Sequence, residues 1–356
     1  YARLRDRLMF ASAARAGIAG AAAAFLAGVP AALAGLGVWA LVISAYATQV
    51  VETLLLVRAA GVPPLAGFDQ ATYRRLARFG RYIVAGSLTT FLDRRTDDYF
   101  VGLFLGPAVL GLYSVAYRVL ELVTTVSLRA VERVAFPVLA KLQDAPELVA
   151  DAVRTSFRFV SFAAFPAFAG LAVVAPELVQ VALGDDWNGA AQPLRILALG
   201  GFGLATTTVL PSVLRALGRP GLAVAIAAVK GVTIAAAFAV TARWSVEAVA
   251  WTFVVGAFLT APVFLVSVCR LVPLSVRDYV AAGAGALGAS LVMVGVLLGA
   301  APVLEPLGPL LRLCASVLIG GLAYVGAASV LAPGRLSELR QRLRSLRAGD
   351  ARRRLG

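Results

Sequence analysis

Ten apolar runs recur along the chain, each close to the roughly 20 residues that a helix needs to cross a bilayer. They cover Ala16–Ala34, Val38–Val57, Tyr82–Leu105, Val109–Leu128, Phe159–Leu183, Ile196–Leu214, Leu222–Thr241, Val246–Cys269, Tyr279–Leu298 and Leu313–Ala332. None alternates apolar and polar positions, as the strands of a membrane barrel would. The pattern predicts an all-α fold, a polytopic transmembrane helix bundle of about ten helices.

The breaks between runs alternate in character. Gly35–Gly37 and Gly106–Ala108 are tight, uncharged turns, whereas Arg58–Arg81 and Arg129–Arg158 are long and basic. With residues 1–15 placed in the cytoplasm, those two stretches fall there too, as do Arg215–Arg219, Arg270–Arg277 and the tail. Most of the 33 Lys and Arg lie in these pieces, while the opposite turns hold only Arg195, Arg243 and Arg312. The positive-inside rule therefore predicts both chain ends in the cytoplasm. In the tail, Leu336, Leu339, Leu343 and Leu346 recur at helical steps with Arg between them. That pattern suits a helix lying on anionic lipids of the inner leaflet, and equally a solvated tail that only sets topology.

Composition narrows the classes further. The 356 residues are 60% hydrophobic and 15% charged, against about 45–50% and 25% in soluble domains. A water-soluble globule and a disordered chain are both excluded. The net charge of +14 sits where topology needs it, so no nucleic-acid partner is expected. Histidine is absent, which removes imidazole acid–base chemistry, Ser-His-Asp triads and His-bound metals. Cys269 and Cys314 share no ligand spacing and read as small packing residues. No P-loop, metal cluster or nucleophile elbow is present. The longest outer connection, Gly184–Arg195, is too short for a catalytic domain. A non-enzyme without cofactor or metal is expected. The chain starts at Tyr1 without a methionine and reads as a piece of something longer.

Chemistry concentrates in the third run. Asp93, Arg94, Arg95, Asp97 and Asp98 lie midway along it, and each charge at a helix centre costs roughly 2.5–3.5 kcal/mol on insertion scales. Five cannot face lipid. Gly86, Thr90, Asp93 and Asp97 form one stripe at helical spacing, and Arg94 is within pairing reach of Asp97 and Asp98. On the next helix Ser114, Tyr117, Arg118, Glu121 and Thr125 share a face, with Tyr113 one turn before Tyr117. The Gly106-Pro107 turn makes the two helices antiparallel neighbours. Arg94, Arg95, Arg118 and Glu121 then lie roughly 16–21 Å from that turn, which describes the wall of an aqueous cavity. Buried ion pairs that merely fix helix register are the structural alternative. Lys230, mid-segment in Leu222–Thr241, is expected to face the same cavity, while Glu52, Glu177 and Glu247 lie nearer segment ends. Pro30, Pro166, Pro211 and Pro262 would kink their helices, and Gly200, Gly201, Gly203, Gly283, Gly285 and Gly288 would allow close approach.

Three blocks carry a family resemblance: Gly35–Val42, then Asp93–Gly106 followed by Leu110–Arg118, then Gly184–Trp187 with Pro193–Ala198. In them the chain resembles bacterial oligosaccharide-lipid flippases, the lipopolysaccharide biosynthesis proteins of the multidrug/oligosaccharidyl-lipid/polysaccharide exporter superfamily. The resemblance implies two six-helix lobes, with this chain lacking the first four helices. Residues 1–79 would end the first lobe, 80–270 would form a complete second lobe of six helices, 271–333 would add two accessory helices, and 334–356 would be a basic cytoplasmic tail. It implies an undecaprenyl-diphosphate-linked oligosaccharide moved across the bacterial inner membrane, and other polysaccharide-assembly membrane proteins as partners. Arg94, Arg95, Arg118, Tyr113, Tyr117 and Lys230 would bind substrate, with Asp93, Asp97, Asp98 and Glu121 as coupling groups or ion-pair partners. A membrane-embedded polymerase or ligase, and a cation-coupled exporter of small amphiphiles, are the competing expectations.

Overall fold

The computed structural model describes residues 10–60, 70, 96–128 and 139–331, all of them helix, turn or short connection with no strand among them. Two compact units divide between Gly80 and Arg81. In the first, α1 (Phe10–Leu33) and α2 (Val38–Ala60) form an antiparallel hairpin. Gly20 and Gly28 of α1 receive Thr48 and Ser44 of α2, and a Cβ on Gly28 would stand 2.8 Å from that of Ser44. Small residues thus let the two backbones approach without any large side chain between them.

The second unit contains α3 (96–105), α4 (Pro107–Ser127), α5 (Pro146–Leu183), a 3-10 turn (Asp185–Ala190), α6 (Ala191–Thr207), α7 (Leu210–Ala216), α8 (Pro220–Thr241), α9 (Val246–Cys269), α10 (Val276–Leu304) and α11 (Pro309–Leu331). Starts follow local chemistry. Proline opens α4, α5 and α8, where its missing N–H costs nothing. The hydroxyls of Ser245 and Ser275 cap α9 and α10 by accepting the N–H of Ala248 and Asp278. Across both units, nine helical spans among the described residues are long and apolar enough to cross a membrane. Their outer faces expose Leu122, Val126, Val232, Leu291, Leu318 and Leu322, an apolar surface far beyond what a soluble monomer carries.

Centrally, α6 packs between α5 and α9, while α10 lies on α5 and α11 on both α5 and α10. Close approach explains the glycines of α6. A Cβ on Gly203 would stand 2.8 Å from the Ala257 carbonyl carbon, and one on Gly201 would overlap the Phe168 ring. Arg312 of α11 meets Glu177 of α5 at 2.8 Å, and the Tyr324 hydroxyl donates to the Phe162 carbonyl at 2.8 Å. These two contacts tie α11 to α5.

Two helices differ from the apolar-run reading. The fifth begins at Pro146 rather than Phe159. Its first turns are amphipathic, with Val149, Val153 and Phe157 buried and Asp151 paired to Arg154 at 3.7 Å, so they carry helical periodicity without a long apolar run. At 38 residues it reaches about 57 Å, well past a hydrocarbon core of about 30 Å. The expected single helix Ile196–Leu214 is instead α6 and α7, broken at Thr208 and Val209. Pro211 cannot donate to the Thr207 carbonyl. The hydroxyls of Thr206 and Thr208 turn back onto the carbonyls of Phe202 and Leu204 at 2.8 Å each, a bonding pattern that bends helices. The Tyr279 hydroxyl, on a fully buried ring stacked on Phe157, donates to the Thr206 carbonyl at 2.7 Å. Cys269 packs partly into the core, whereas Cys314 lies on the exposed face of α11 rather than in packing.

Candidate polar cavity within the bundle

The α3–α4 hairpin turns at Gly106, whose φ of +86° is one that glycine adopts without steric cost. Asp97 lies nine residues before this turn and Tyr113 seven after it, so antiparallel packing brings them face to face. The Tyr113 hydroxyl donates to Asp97 Oδ2 at 2.9 Å, and the Asp98 N–H donates to Oδ1 at 2.9 Å. Asp97 is 3% exposed and Tyr113 is 0%. This pair is closed to water, so, contrary to expectation, Asp97 and Tyr113 do not line an aqueous hollow. Asp98 is half-buried beside it.

One turn further along α4, the wall opens. Tyr117 leans toward Tyr113, with ring centroids 6.3 Å apart, and sets its ring edge-to-face on Phe253 of α9 at 5.9 Å. Beyond that pair is a cavity of about 270 Å³, bounded by Tyr117, Glu121 and Thr124 of α4, Thr207 and Thr208 at the α6–α7 break, Lys230 of α8 and Gly256 of α9. Tyr117, Leu120, Glu121, Thr124 and Leu128 all line it, a single helical face at steps of three and four residues. Tyr117 and Glu121 are 11 and 15 residues past Gly106, roughly 16–22 Å from that turn. Lys230 is ten residues past Pro220, roughly 15 Å from the other end. Both estimates put the cavity near mid-span and extending toward the end of the bundle that holds Leu128.

Arg118 does not join this wall. It falls on the exposed row of α4 with Leu122 and Val126, because the step of about 100° from Tyr117 carries it past the cavity edge. Asp93, Arg94 and Arg95 lie outside the described residues, as do the tail and much of the two long basic connections. The cavity also draws on residues that the sequence reading left out. Thr207 and Thr208 enter it because the helix breaks there, and the signal is three threonines followed three residues later by proline, Thr206-Thr207-Thr208-Val209-Leu210-Pro211. The Phe253 ring gives no such local signal, since its place depends on α9 packing along α6 so that the ring reaches Tyr117.

The cavity thus holds an acid, a base, hydroxyls and flat aromatic faces at a depth where lipid offers no polar partner. Such groups are rare within a membrane and face a bundle interior or a water-filled cavity rather than lipid.

Comparisons with known proteins agree with this architecture. The family described as polysaccharide biosynthesis protein matches residues 1–192. The chain is 28% identical over 160 residues to the teichuronic acid biosynthesis protein TuaB of Bacillus subtilis, a match covering 45% of this chain and 33% of that protein. It is 29% identical over 152 residues to the lipopolysaccharide biosynthesis protein WzxC of Escherichia coli, covering 43% of this chain and 31% of the relative. With the succinoglycan biosynthesis transport protein ExoT of Rhizobium meliloti, identity is 25% over 228 residues, covering 64% and 46%. These matches therefore span between about a third and a half of the relatives' length. Among solved structures, the lipid II flippase MurJ in an inward closed conformation superposes with a TM-score of 0.71 at 12% identity, covering 89% of this chain and 67% of that one. At that identity the likeness is one of fold.

Proposed function

The chain belongs to the polysaccharide biosynthesis protein family, and from that premise we propose that it is a flippase, or a large part of one, for lipid-linked oligosaccharides. The cargo is an undecaprenyl-diphosphate-linked oligosaccharide, carried across the bacterial inner membrane for O-antigen, capsule or exopolysaccharide assembly. The observation that carries the reading is the mid-span cavity with Glu121, Lys230, two threonines and the Tyr117–Phe253 pair on its walls. The relatives' printed names, which speak of lipopolysaccharide biosynthesis and succinoglycan transport, support the same cargo class.

The physics of the task suits these residues. A diphosphate-sugar headgroup cannot cross hydrocarbon unaided, so the protein supplies a polar route while the prenyl tail stays in the bilayer. Lys230 gives a point charge for phosphate, and Arg94 and Arg95 would add guanidinium forks suited to phosphate oxygens, whereas Arg118, on the outer row of α4, takes no part in the cavity. Asp93, Asp98 and Glu121 would balance those cations or carry a coupling ion, while Asp97, closed off by Tyr113, would hold the hairpin together. A potential negative inside favours outward movement of an anion by about 2.3 kcal/mol per charge per 100 mV. Alternating access between two lobes would expose the cavity to one side and then the other. In that scheme residues 1–79 close the first lobe, 80–270 form the second, and 271–333 are accessory. In the same scheme both chain ends would be cytoplasmic, the basic tail would meet anionic lipid or solvent, and other polysaccharide-assembly membrane proteins would receive the product. Nothing in the scheme requires bond-making chemistry or a cofactor.

Replacing Arg94 and Arg95 together by alanine in the full-length protein should reduce surface polysaccharide strongly at unchanged protein level in the membrane. Normal polysaccharide at normal protein level would remove both arginines from the mechanism.

A further inference from the structure

Against the polar cavity lies a second, apolar one, and the two share a border. A groove of about 280 Å³ runs along the seam between α8 and α9, lined by Ile226, Val229 and Thr233 of one helix and by Leu259, Thr260 and Val263 of the other. Lys230, Ile234 and Gly256 line both the groove and the polar cavity.

The groove has a structural cause. Helices α8 and α9 meet firmly near their connecting turn, where Thr241 Oγ1 and Thr252 Oγ1 are 3.0 Å apart and Phe238 and Ala242 are buried. Further along, α8 buries only Ala223, and the seam stands open. From Ile234 to Ala225 it is roughly 14 Å long. Its polar residues are few. The Thr260 hydroxyl is satisfied within its own helix, donating at 2.5 Å to the Gly256 carbonyl.

Among the described residues, the only charged side chain bordering both compartments is Lys230. Glu121 lines the polar cavity alone. A lysine suits such a boundary, because its methylene stem lies against apolar surface while its ammonium reaches toward water. The sequence of environments is therefore polar cavity, single cation, apolar groove. An amphiphile with the complementary sequence has a polar head, an anionic linkage and a long apolar chain.

We infer that the α8–α9 groove seats the prenyl chain of the lipid-linked cargo, with its diphosphate at Lys230 and its sugars in the polar cavity. This rests on the transport reading above and adds to it where the tail leaves the protein. The chain need never enter the polar compartment: it slides along the seam while the head is handed across.

The test measures occupancy rather than movement. Photoreactive p-benzoylphenylalanine is placed at Val229 or Val263 in the groove, and at Val232 or Val255 as controls. The controls are exposed positions on the same two helices that do not line it. The full-length protein is reconstituted in vesicles of phosphatidylethanolamine and phosphatidylglycerol with radiolabelled undecaprenyl diphosphate. Labelling several-fold stronger at Val229 and Val263 than at the controls is expected. It should be lowered by Lys230→Met, and competed by unlabelled undecaprenyl diphosphate but not by extra phosphatidylglycerol. Equal labelling at all four positions, or equal competition by phosphatidylglycerol, would make the groove an ordinary lipid contact and overturn the inference. Selective labelling in a protein that moves no headgroup would sink the transport reading and keep the seat. Unselective labelling in a protein that does move headgroups would do the reverse.

Discussion

Substituting Lys230 by methionine in the full-length protein should cut headgroup translocation about ten- to a hundredfold while leaving the folded protein intact. Methionine keeps the length and apolar contacts of the stem and removes only the ammonium. A charge-assisted contact is worth about 1.5–3 kcal/mol, and each 1.36 kcal/mol is tenfold in rate. Folding should tolerate the change, since α8 lies at the edge of the bundle and buries only Ala223 and Phe238. Surface polysaccharide and membrane protein level, measured together, separate the two effects. Lys230→Arg keeps the charge and should retain much of the activity, whereas a purely steric role would not distinguish Arg from Met by charge.

Losing the Tyr113 hydroxyl should act on stability instead. In Tyr113→Phe the Asp97 carboxyl keeps the Asp98 N–H but loses its other partner, inside a region with almost no exposure. A buried polar group deprived of a hydrogen bond costs about 1–3 kcal/mol, whereas removing both partners can be nearly neutral. Thermal midpoints in detergent should fall for Tyr113→Phe and recover substantially in the Asp97→Leu, Tyr113→Phe double variant. If the double variant stays as unstable as the single, the pair does not hold the hairpin through this bond. If the double variant is stable but moves no headgroup, Asp97 has a transport role that its buried contact does not account for.

These two residues also measure how far the sequence carries. The helices were legible because a bilayer demands long apolar runs, and length alone separates them from strands. Residues 146–158 were not, since their helix is amphipathic and their hydrophobic positions are spread one per turn. The break at Thr208 leaves no mark in hydropathy, which ignores backbone donors, and only Pro211 with the three threonines before it betrays the break.

Within the site, sequence spacing gave the face of a helix but not its neighbour. Tyr113 and Tyr117 are one turn apart on the same helix, yet the first seals against Asp97 and the second opens onto the cavity. Arg118 and Glu121 are three residues apart, and the packing of α5 and α6 against α4 leaves only Glu121 inside. Such distinctions depend on which helices cross, and that is long-range information no single segment holds.

The polar compartment at mid-span should be open to water and separate from the dry Asp97–Tyr113 seam. This is tested most directly by thiol accessibility in membranes, using full-length protein with Cys269 and Cys314 replaced. A charged, membrane-impermeant maleimide should react with Thr124→Cys and Thr207→Cys from one side of the membrane, while Val101→Cys, fully buried in the same unit, stays unlabelled. Silence at Thr124 and Thr207 from both sides, in protein that still assembles polysaccharide, would contradict the account.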